Sequence, residues 1–445
     1  MIKIYNSLTK RKSAIKNKNL KLFVCGPTVY DLSHIGHARI YVFFDSFVRF
    51  LRKNHYKVKF LMNITDVDDK IINKAKTLNR SSFYIARKYE KEFLKDIQSL
   101  KIAVDKFARA SQHINVVIKQ IKRIIEKSYA YVTKSGSVYF RTKKFKDYGK
   151  LSNQDINQLQ NIEKSEEKED PLDFALWKGR TEQNKFEPIW KAPWGYGRPG
   201  WHIEDTAITE KYFGEQYDIH GGGIDLIFPH HECEIAQQEA ASGKKPFVKI
   251  WMHVNLLYVD GKKMSKSLGN FITIRDFTKG FPLRFLRFFI LAHHWRAIID
   301  YNQNTVNDLW YKYIKINEFV SKFKFFKQNK KISYKKLKRE IQKSLEDDFN
   351  TAKVINLLLE EINKIEKNKE TNEELLKLFK DLDAIFLCFF PWTKLDKKLL
   401  KLIKKRESLR KQKKFEAADN IRNFLQKRFI YLQDAPERTI IINLN

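Results

Sequence analysis

The strongest constraint on the fold lies in the first 64 residues of the chain. Leu20–Cys25 (LKLFVC) is a short apolar run of strand length. A turn-rich stretch, GPTVYDLSHIGHAR, follows it. Ile40, Phe43, Phe44, Phe47, Val48 and Leu51 then recur at the spacing of one buried helix face. Next, Tyr56–Ile64 (YKVKFLMNI) alternates at first and turns apolar, as a buried strand does. Strand, helix and strand make a βαβ unit, whose crossover is right-handed. Ligands of such sheets bind beyond the carboxyl ends of the strands, where Cys25–His37 and Asn63–Lys70 fall.

The rest of the chain divides by composition. Residues 1–110 read as the first half of an α/β domain and 111–194 as an insertion. The insertion opens with a helical stretch, INVVIKQIKRIIEK. A hairpin-like YAYVTKSGSVYFRT follows, with Ser135-Gly136 at its turn, and then the charged run EKSEEKED. Apolar and glycine-rich signals return at Gly195, so 195–300 is expected to complete the sheet. From 301 to 392 the pattern is helical and lysine-rich, with almost no Pro or Gly before Pro391, which suits a helix bundle. The tail, 393–445, carries one more helical stretch (SLRKQKKFEAADNIRNFLQKR) and ends in the strand-like RTIIINL.

With 86 Lys+Arg against 52 Asp+Glu, the formal charge is +34, a field that attracts polyanions such as tRNA. An AT-rich coding bias toward Lys, Ile, Asn and Phe accounts for part of that excess. Three scattered cysteines, Cys25, Cys233 and Cys388, make no disulfide framework and fit a reducing compartment. Cys388, inside IFLCFF, reads as a small buried apolar residue. The start of the sequence has no signal-peptide pattern and no apolar run spans a bilayer, so a cytoplasmic protein without membrane contact is expected.

Two motifs carry the chemistry. His34-Ile35-Gly36-His37 lies between the first strand and the first helix. Gly36 lets a nucleotide approach the backbone, the helix N-terminus offers N–H groups to phosphate, and both imidazoles can donate to a phosphoryl group gaining charge. Lys263-Met264-Ser265-Lys266-Ser267 sits between Gly261 and Gly269 in what reads as a mobile loop. Its two lysines, three apart, can both face a triphosphate and stabilise a pyrophosphate leaving group. Either motif alone has a plain alternative, two satisfied loop histidines or a solvated Lys-rich turn.

Together, and in this order on two halves of an interrupted sheet, the motifs resemble those of the class I aminoacyl-tRNA synthetases. The blocks VCGPTVYDLSHIGHAR, NITDVDDK, DPLDFALWK, GRPGWHIE, DIHGGGIDLIFPHHECEIAQ and VDGKKMSKSLGNF are similar to those of the cysteinyl-tRNA synthetase family. The resemblance covers nearly the whole chain. It implies an α/β fold: a Rossmann-like parallel-sheet catalytic domain split by an insertion, then an anticodon-binding helix bundle and a small anticodon-recognising tail. It also implies a monomer that uses ATP with Mg2+ to activate L-cysteine and transfers it to tRNA(Cys). His34, His37, Lys263 and Lys266 are the implied catalytic groups. Gly221-Gly222-Gly223 with Asp225 would hold adenosine, while Thr65 and Trp201 would border the amino acid.

The family places zinc in the amino-acid pocket on two Cys, one His and one Glu. Matched position by position, the ligands here are Cys25, Asp205, His230 and Glu234, so Asp205 stands where the family carries cysteine. His230 and Glu234, four apart on a helix, face one way. Carboxylate in place of thiolate keeps the ligand charge but is harder, so zinc affinity should fall. Cys233 is a possible substitute sulfur, although side-chain direction favours an ordinary helix residue. Zinc discriminates cysteine from serine by its affinity for sulfur, where an apolar pocket alone discriminates weakly. Two rival functions stay open at this stage: a cysteine ligase of thiol-cofactor biosynthesis and an inactive tRNA-binding paralogue.

Overall fold

The structure is a computed structural model, which describes residues 1–154, 165–180, 185–265, 268–435 and 438–445. At its centre is a five-stranded sheet made of β1 (Asn19–Val24), β2 (Lys57–Ile64), β3 (Lys106–Arg109), β4 (Tyr217–Gly223) and β5 (Val248–Val254). The strands are parallel throughout and lie in the order β5-β4-β1-β2-β3. From β1 the chain builds outward through β2 and β3, then returns to the other side of β1 with β4 and β5. The strand order therefore reverses between β1 and β4, the place where sheets of this kind open a ligand crevice.

Helix α1 (Ile35–Lys53) joins β1 to β2. Phe43, Phe44, Phe47, Val48 and Leu51 are all buried, and Ile40, nearest the crevice, is partly so. The helix is buried on its other faces too, because the helical region packs over it. Phe349 inserts its ring against Phe43, Phe47 and Phe50, with centroids 5.9, 5.4 and 5.3 Å away. Two buried arginines clamp the units together. Arg287 donates to Asp45 of α1 at 2.8 Å and to the carbonyls of Leu100 and Phe386 at 3.0 and 2.8 Å. Arg284 donates to Asn317 at 2.7 Å and to the Asn443 carbonyl at 3.1 Å. A buried guanidinium is costly unless its donors are filled, so each fixes several segments at once.

Between β3 and β4 the chain builds a second, five-stranded sheet that is antiparallel. Its first hairpin pairs Ala130–Val132 with Val138–Phe140, and Gly136 takes the left-handed φ of 81° that the turn needs. This sheet claims Gly195–Pro199 as a strand, five residues past the start expected for the second half of the parallel domain. Helix α2 (Trp201–Phe213) follows at once, and α3 (Glu232–Ser242) packs beside it.

Beyond residue 301 the described α-helices are Gln303–Lys322, Lys335–Glu346, Thr351–Asn368, Glu373–Phe386, Lys397–Lys411 and Phe415–Gln426, followed by an antiparallel hairpin of Ile430–Ala435 and Arg438–Asn443. The tail was expected to carry one helix across Ser408–Arg428. It breaks instead at Gln412–Lys414, where Lys413 turns left-handed at φ 57°. RKQKK offers no apolar residue to bury, so a continuous helix would gain nothing from packing there. Among the described residues no helix is long and apolar enough to cross a membrane.

Candidate active site and metal centre

The crevice between β1 and β4 holds a buried cluster of sulfur, imidazole and carboxylate. Cys25 follows β1 directly, and its N–H donates to the Gly221 carbonyl of β4 at 3.0 Å, which fixes the thiol at the sheet's edge. Asp205 comes from α2, while His230 and Glu234 come from the entry and first turn of α3. Cys25 Sγ lies 3.6 Å from Asp205 Oδ2, and His230 Nε2 lies 3.0 Å from the same oxygen and 3.2 Å from Glu234 Oε1. The four ligand atoms lie within 4.8 Å of one another, and all four residues are buried. The structure thus brings the four expected ligands to one centre.

Among the described residues neither Glu234 oxygen has a hydrogen-bond partner, since the nearest imidazole nitrogen is engaged with Asp205. A buried carboxylate without donors is a costly arrangement that a cation relieves. The set therefore fits a divalent metal. Burial, then the charges of Asp205 and Glu234, push the Cys25 thiol up; burial, then Asp205, push Glu234 up. Positive charge at the centre would reverse both effects.

Cys233, the candidate substitute, points elsewhere. Its Sγ pairs with Tyr148 Oη at 3.2 Å and packs in the core shared by α2, α3 and the antiparallel sheet. Trp201 is 36% exposed and stacks on His230 with centroids 4.2 Å apart, so it bounds the cleft instead of filling a core. Thr65 is buried, and its Oγ1 accepts from Asn63 Nδ2 at 3.1 Å.

Asn63 is a hub that sequence reasoning passed over. Its Oδ1 accepts the Gly26 N–H, and its Nδ2 also donates to Asp205 Oδ1, both at 2.5 Å. His220 and His231 were missed as well: their Nε2 atoms lie 3.3 and 3.1 Å from Cys25 Sγ. The apparent signal was in the quoted blocks, since His220 interrupts a buried strand and His231 neighbours an expected ligand. Lys70, at the end of NITDVDDK, lines the cleft and was missed too.

Two adjoining clefts open above this cluster. One, of about 270 Å³, runs from Cys25 and Trp201 past Lys70; the other, of about 160 Å³, reaches Lys263 and Met264. They share His34, His37, Ile40, Gly223 and Asp225 as a common wall. His34 caps α1: its Nδ1 accepts the Gly36 and His37 N–H groups at 3.1 and 3.3 Å, while His37 Nδ1 accepts the His34 N–H at 3.3 Å. Ile35 donates to the Ile272 carbonyl at 3.1 Å. The helix N–H groups expected to be open to phosphate are therefore already engaged, and it is the imidazoles, stacked 3.8 Å apart, that line the clefts. Burial, then His34 and Lys70, hold His37 well below the usual histidine range.

The glycines divide the work differently from expectation. A Cβ on Gly36 would lie 2.8 Å from the His34 ring and 3.0 Å from Met264 Cε, so this glycine admits the cap and the lysine loop. A Cβ on Gly221 would lie 2.1 Å from the Phe44 ring, and one on Gly222 2.9 Å from the His231 ring. Of Gly221, Gly222 and Gly223, it is Gly223, beside Asp225, that borders the clefts, and Gly36 lines the smaller one. Lys263 lies on a two-residue strand, with its carbonyl accepting from Asn270 Nδ2 at 3.3 Å. Lys266 and Ser267 lie outside the described residues.

Residues 11–310 match the family described as tRNA synthetases class I (C) catalytic domain. The cysteine–tRNA ligase of Thermoplasma volcanium is 43% identical, with 98% of this chain and 99% of the relative covered. That of Thermodesulfovibrio yellowstonii is 41% identical, with 99% of each covered. Among solved structures, the Mycobacterium tuberculosis methionyl-tRNA synthetase in complex with methionyl-adenylate superposes with a TM-score of 0.55 at 15% identity, over 91% of this chain and 88% of that one, a likeness of fold. With the catalytic-domain match spanning two thirds of its length and full-length relatives above 40% identity, the chain belongs to the class I tRNA synthetases of the cysteine type.

Proposed function

We propose that this chain is a cysteine–tRNA ligase, which activates L-cysteine with Mg2+·ATP and esterifies it to tRNA(Cys). The observation that carries the reading is the pair of clefts with one shared wall. A buried metal-ligand set lies under one cleft, and the lysine loop borders the other. Cysteine and the triphosphate would meet at His34 and His37. The rival thiol-cofactor ligase and inactive paralogue are not favoured, since relatives named cysteine–tRNA ligase match over the full chain.

In the first step the cysteine carboxylate attacks the α-phosphorus of ATP, and the bond to the β-phosphate oxygen breaks. Cysteinyl-adenylate and pyrophosphate result. His34 and His37 donate to the phosphoryl oxygens, while Lys263 and Lys266 stabilise the departing pyrophosphate. Asp225 accepts from the ribose hydroxyls, with Gly223 giving the ring room. In the second step the terminal adenosine hydroxyl of tRNA attacks the acyl carbon and AMP leaves. Positioning and charge stabilisation supply the rate, without a covalent enzyme intermediate.

Cys25, Asp205, His230 and Glu234 would hold zinc, which when bound supplies a soft centre for the substrate's sulfur and so rejects serine. Trp201 closes the apolar side of that pocket, and Thr65 acts from behind through Asn63 and Asp205. We assign residues 1–110 and 195–300 to catalysis, 111–194 to the connecting insertion, and 301–392 with 393–445 to anticodon contacts, on a cytoplasmic monomer. The test is cysteine-dependent exchange of pyrophosphate into ATP, followed by charging of tRNA(Cys). Exchange that needs cysteine, ignores serine and collapses in Lys266→Ala supports the reading; charging absent despite robust exchange would turn it toward the thiol-cofactor ligase.

A further inference from the structure

The buried cluster contains more ligands than one cation needs. We propose that this chain can hold its cation in either of two ligand sets that share Cys25 and Glu234. One set is completed by Asp205 and His230, the other by His220 and His231. The inference rests on reading the cluster as a metal centre. In each set the four ligand atoms lie within 4.8 Å of one another, and every member is buried. Cys25 Sγ is nearer to His231 Nε2 and His220 Nε2, at 3.1 and 3.3 Å, than to Asp205 Oδ2 at 3.6 Å.

The second set also has the supports that aim ligating imidazoles. The far nitrogen of His220 pairs with Tyr217 Oη at 2.6 Å, and that of His231 pairs with His253 Nε2 at 2.7 Å. Each contact turns the other nitrogen, Nε2, toward Cys25. Trp251 stacks on His220 with centroids 4.3 Å apart and holds the ring plane. Among the described residues neither Glu234 oxygen has a hydrogen-bond partner, and its Oε1 lies near both sets, 3.2 Å from His230 Nε2 and 3.9 Å from His231 Nε2.

Donor chemistry explains why the second set matters in this chain. With Asp205 in place of the family's thiolate, the first set offers one sulfur, one nitrogen and two oxygens. The second offers one sulfur, two nitrogens and one oxygen, a softer set that suits zinc better. Among the described residues Cys25, common to both sets, is the ligand that lines the larger cleft, and Trp201, which stacks on His230 of the first set, lines it as well. A cysteine thiol entering beside Trp201 supplies a further sulfur to the first set and favours transfer to it.

X-ray absorption at the zinc edge, on the full chain loaded with one equivalent of zinc, tests this directly. Outer-shell scattering counts the imidazoles. The expectation is two imidazoles and one sulfur without cysteine, then one imidazole and two sulfurs with it. One imidazole in both states overturns the proposal and leaves the metal reading standing. Failure of the chain to bind zinc at all overturns the metal reading itself. Cobalt titration of variants gives a second measurement: Asp205→Asn and His220→Gln each leave one set able to bind, so at least one of them should keep about half the affinity or more, and the double variant should lose far more than the product of the two, because each set covers for loss of the other. If Asp205→Asn alone loses as much as the double variant, the second set does not bind. Should a variant fail to fold, the absorption result on the unmodified chain decides.

Discussion

Asp205→Cys, which restores the family's thiolate, separates two jobs that this side chain does. Without metal the carboxylate is a hydrogen-bond acceptor: Oδ1 takes Asn63 Nδ2 at 2.5 Å and Oδ2 takes His230 Nε2 at 3.0 Å, all of it buried. Cysteine cannot replace the Asn63 contact. Asn63 keeps its bond to Thr65 and His230 keeps its pairing with His202, so the loss is chiefly one strong buried hydrogen bond. Such a bond to a carboxylate is worth about 1.5–3 kcal/mol, so the chelated variant should be about 2 kcal/mol less stable than the chelated parent. Zinc acts the other way. At free metal about 100-fold above Kd, binding stabilises the fold by about 2.7 kcal/mol, and each further tenfold in affinity adds about 1.4. A second thiolate should tighten binding by at least that factor, so zinc at equal free concentration should narrow the gap by about 1.4 kcal/mol or more. Thermal unfolding of both proteins, in chelator and in zinc buffered at known free concentration, reads the four states. Equal stability in chelator would refute the role given to Asp205 as acceptor. A gap that zinc leaves untouched would refute position 205 as a ligand.

Gly221→Ala would place a methyl 2.1 Å from the Phe44 ring, and overpacking of this kind costs about 1–3 kcal/mol; denaturant unfolding should show it, with Phe44→Leu in the same chain restoring most of the loss. His34→Ala removes the cap on α1 and should cost about 1 kcal/mol, whereas His34→Asn can still cap and should keep the parent's melting point. Pyrophosphate exchange should fall steeply in both, because neither side chain donates as the imidazole does. From the helix Lys397–Lys411, the buried Arg406 guanidinium donates to both oxygens of Asp434 in the terminal hairpin at 2.5 and 2.6 Å, and this hydrogen bonding first of all holds the Asp434 carboxyl below its ordinary value. A depressed carboxyl contributes stability that is present above the unfolded value of about 3.9 and is lost as pH falls through the lower folded value. Amide protection across Ile430–Asn443 should therefore drop below that point, and Asp434→Asn should lack this acid step.

The βαβ start was legible because buried parallel strands carry continuous apolar runs and the crossover helix has a clear periodic face. Apolar and glycine-rich signals put the second half of the sheet within 195–300 without its individual strands, and block similarity grouped Cys25, Asp205, His230 and Glu234 as one ligand set. What stayed hidden depended on contacts between distant segments. His220 sits in β4, where only pairing with β1 sets it beside Cys25. Gly221 looks like part of a nucleotide turn, yet its missing side chain makes room for Phe44, a residue far away in sequence. Thr65 was placed in the pocket by similarity, while its hydroxyl faces Asn63. The break in the tail helix was hidden because helix propensity runs high through RKQKK and only the lack of anything to bury argues against it.

Met264 belongs to the lysine loop, is partly buried, and packs where a side chain on Gly36 would have stood. An unbranched thioether suits that place, since it fills the gap yet moves aside readily for a triphosphate. It also gives the loop a chemical weakness. Oxidation to the sulfoxide would put a polar oxygen against the mouth of α1, prop the loop away from the histidines and slow adenylate formation while leaving the sulfur-binding pocket intact. Peroxide damage to such a ligase would then register first as weakened use of ATP, and methionine sulfoxide reductase would be the activity that restores it.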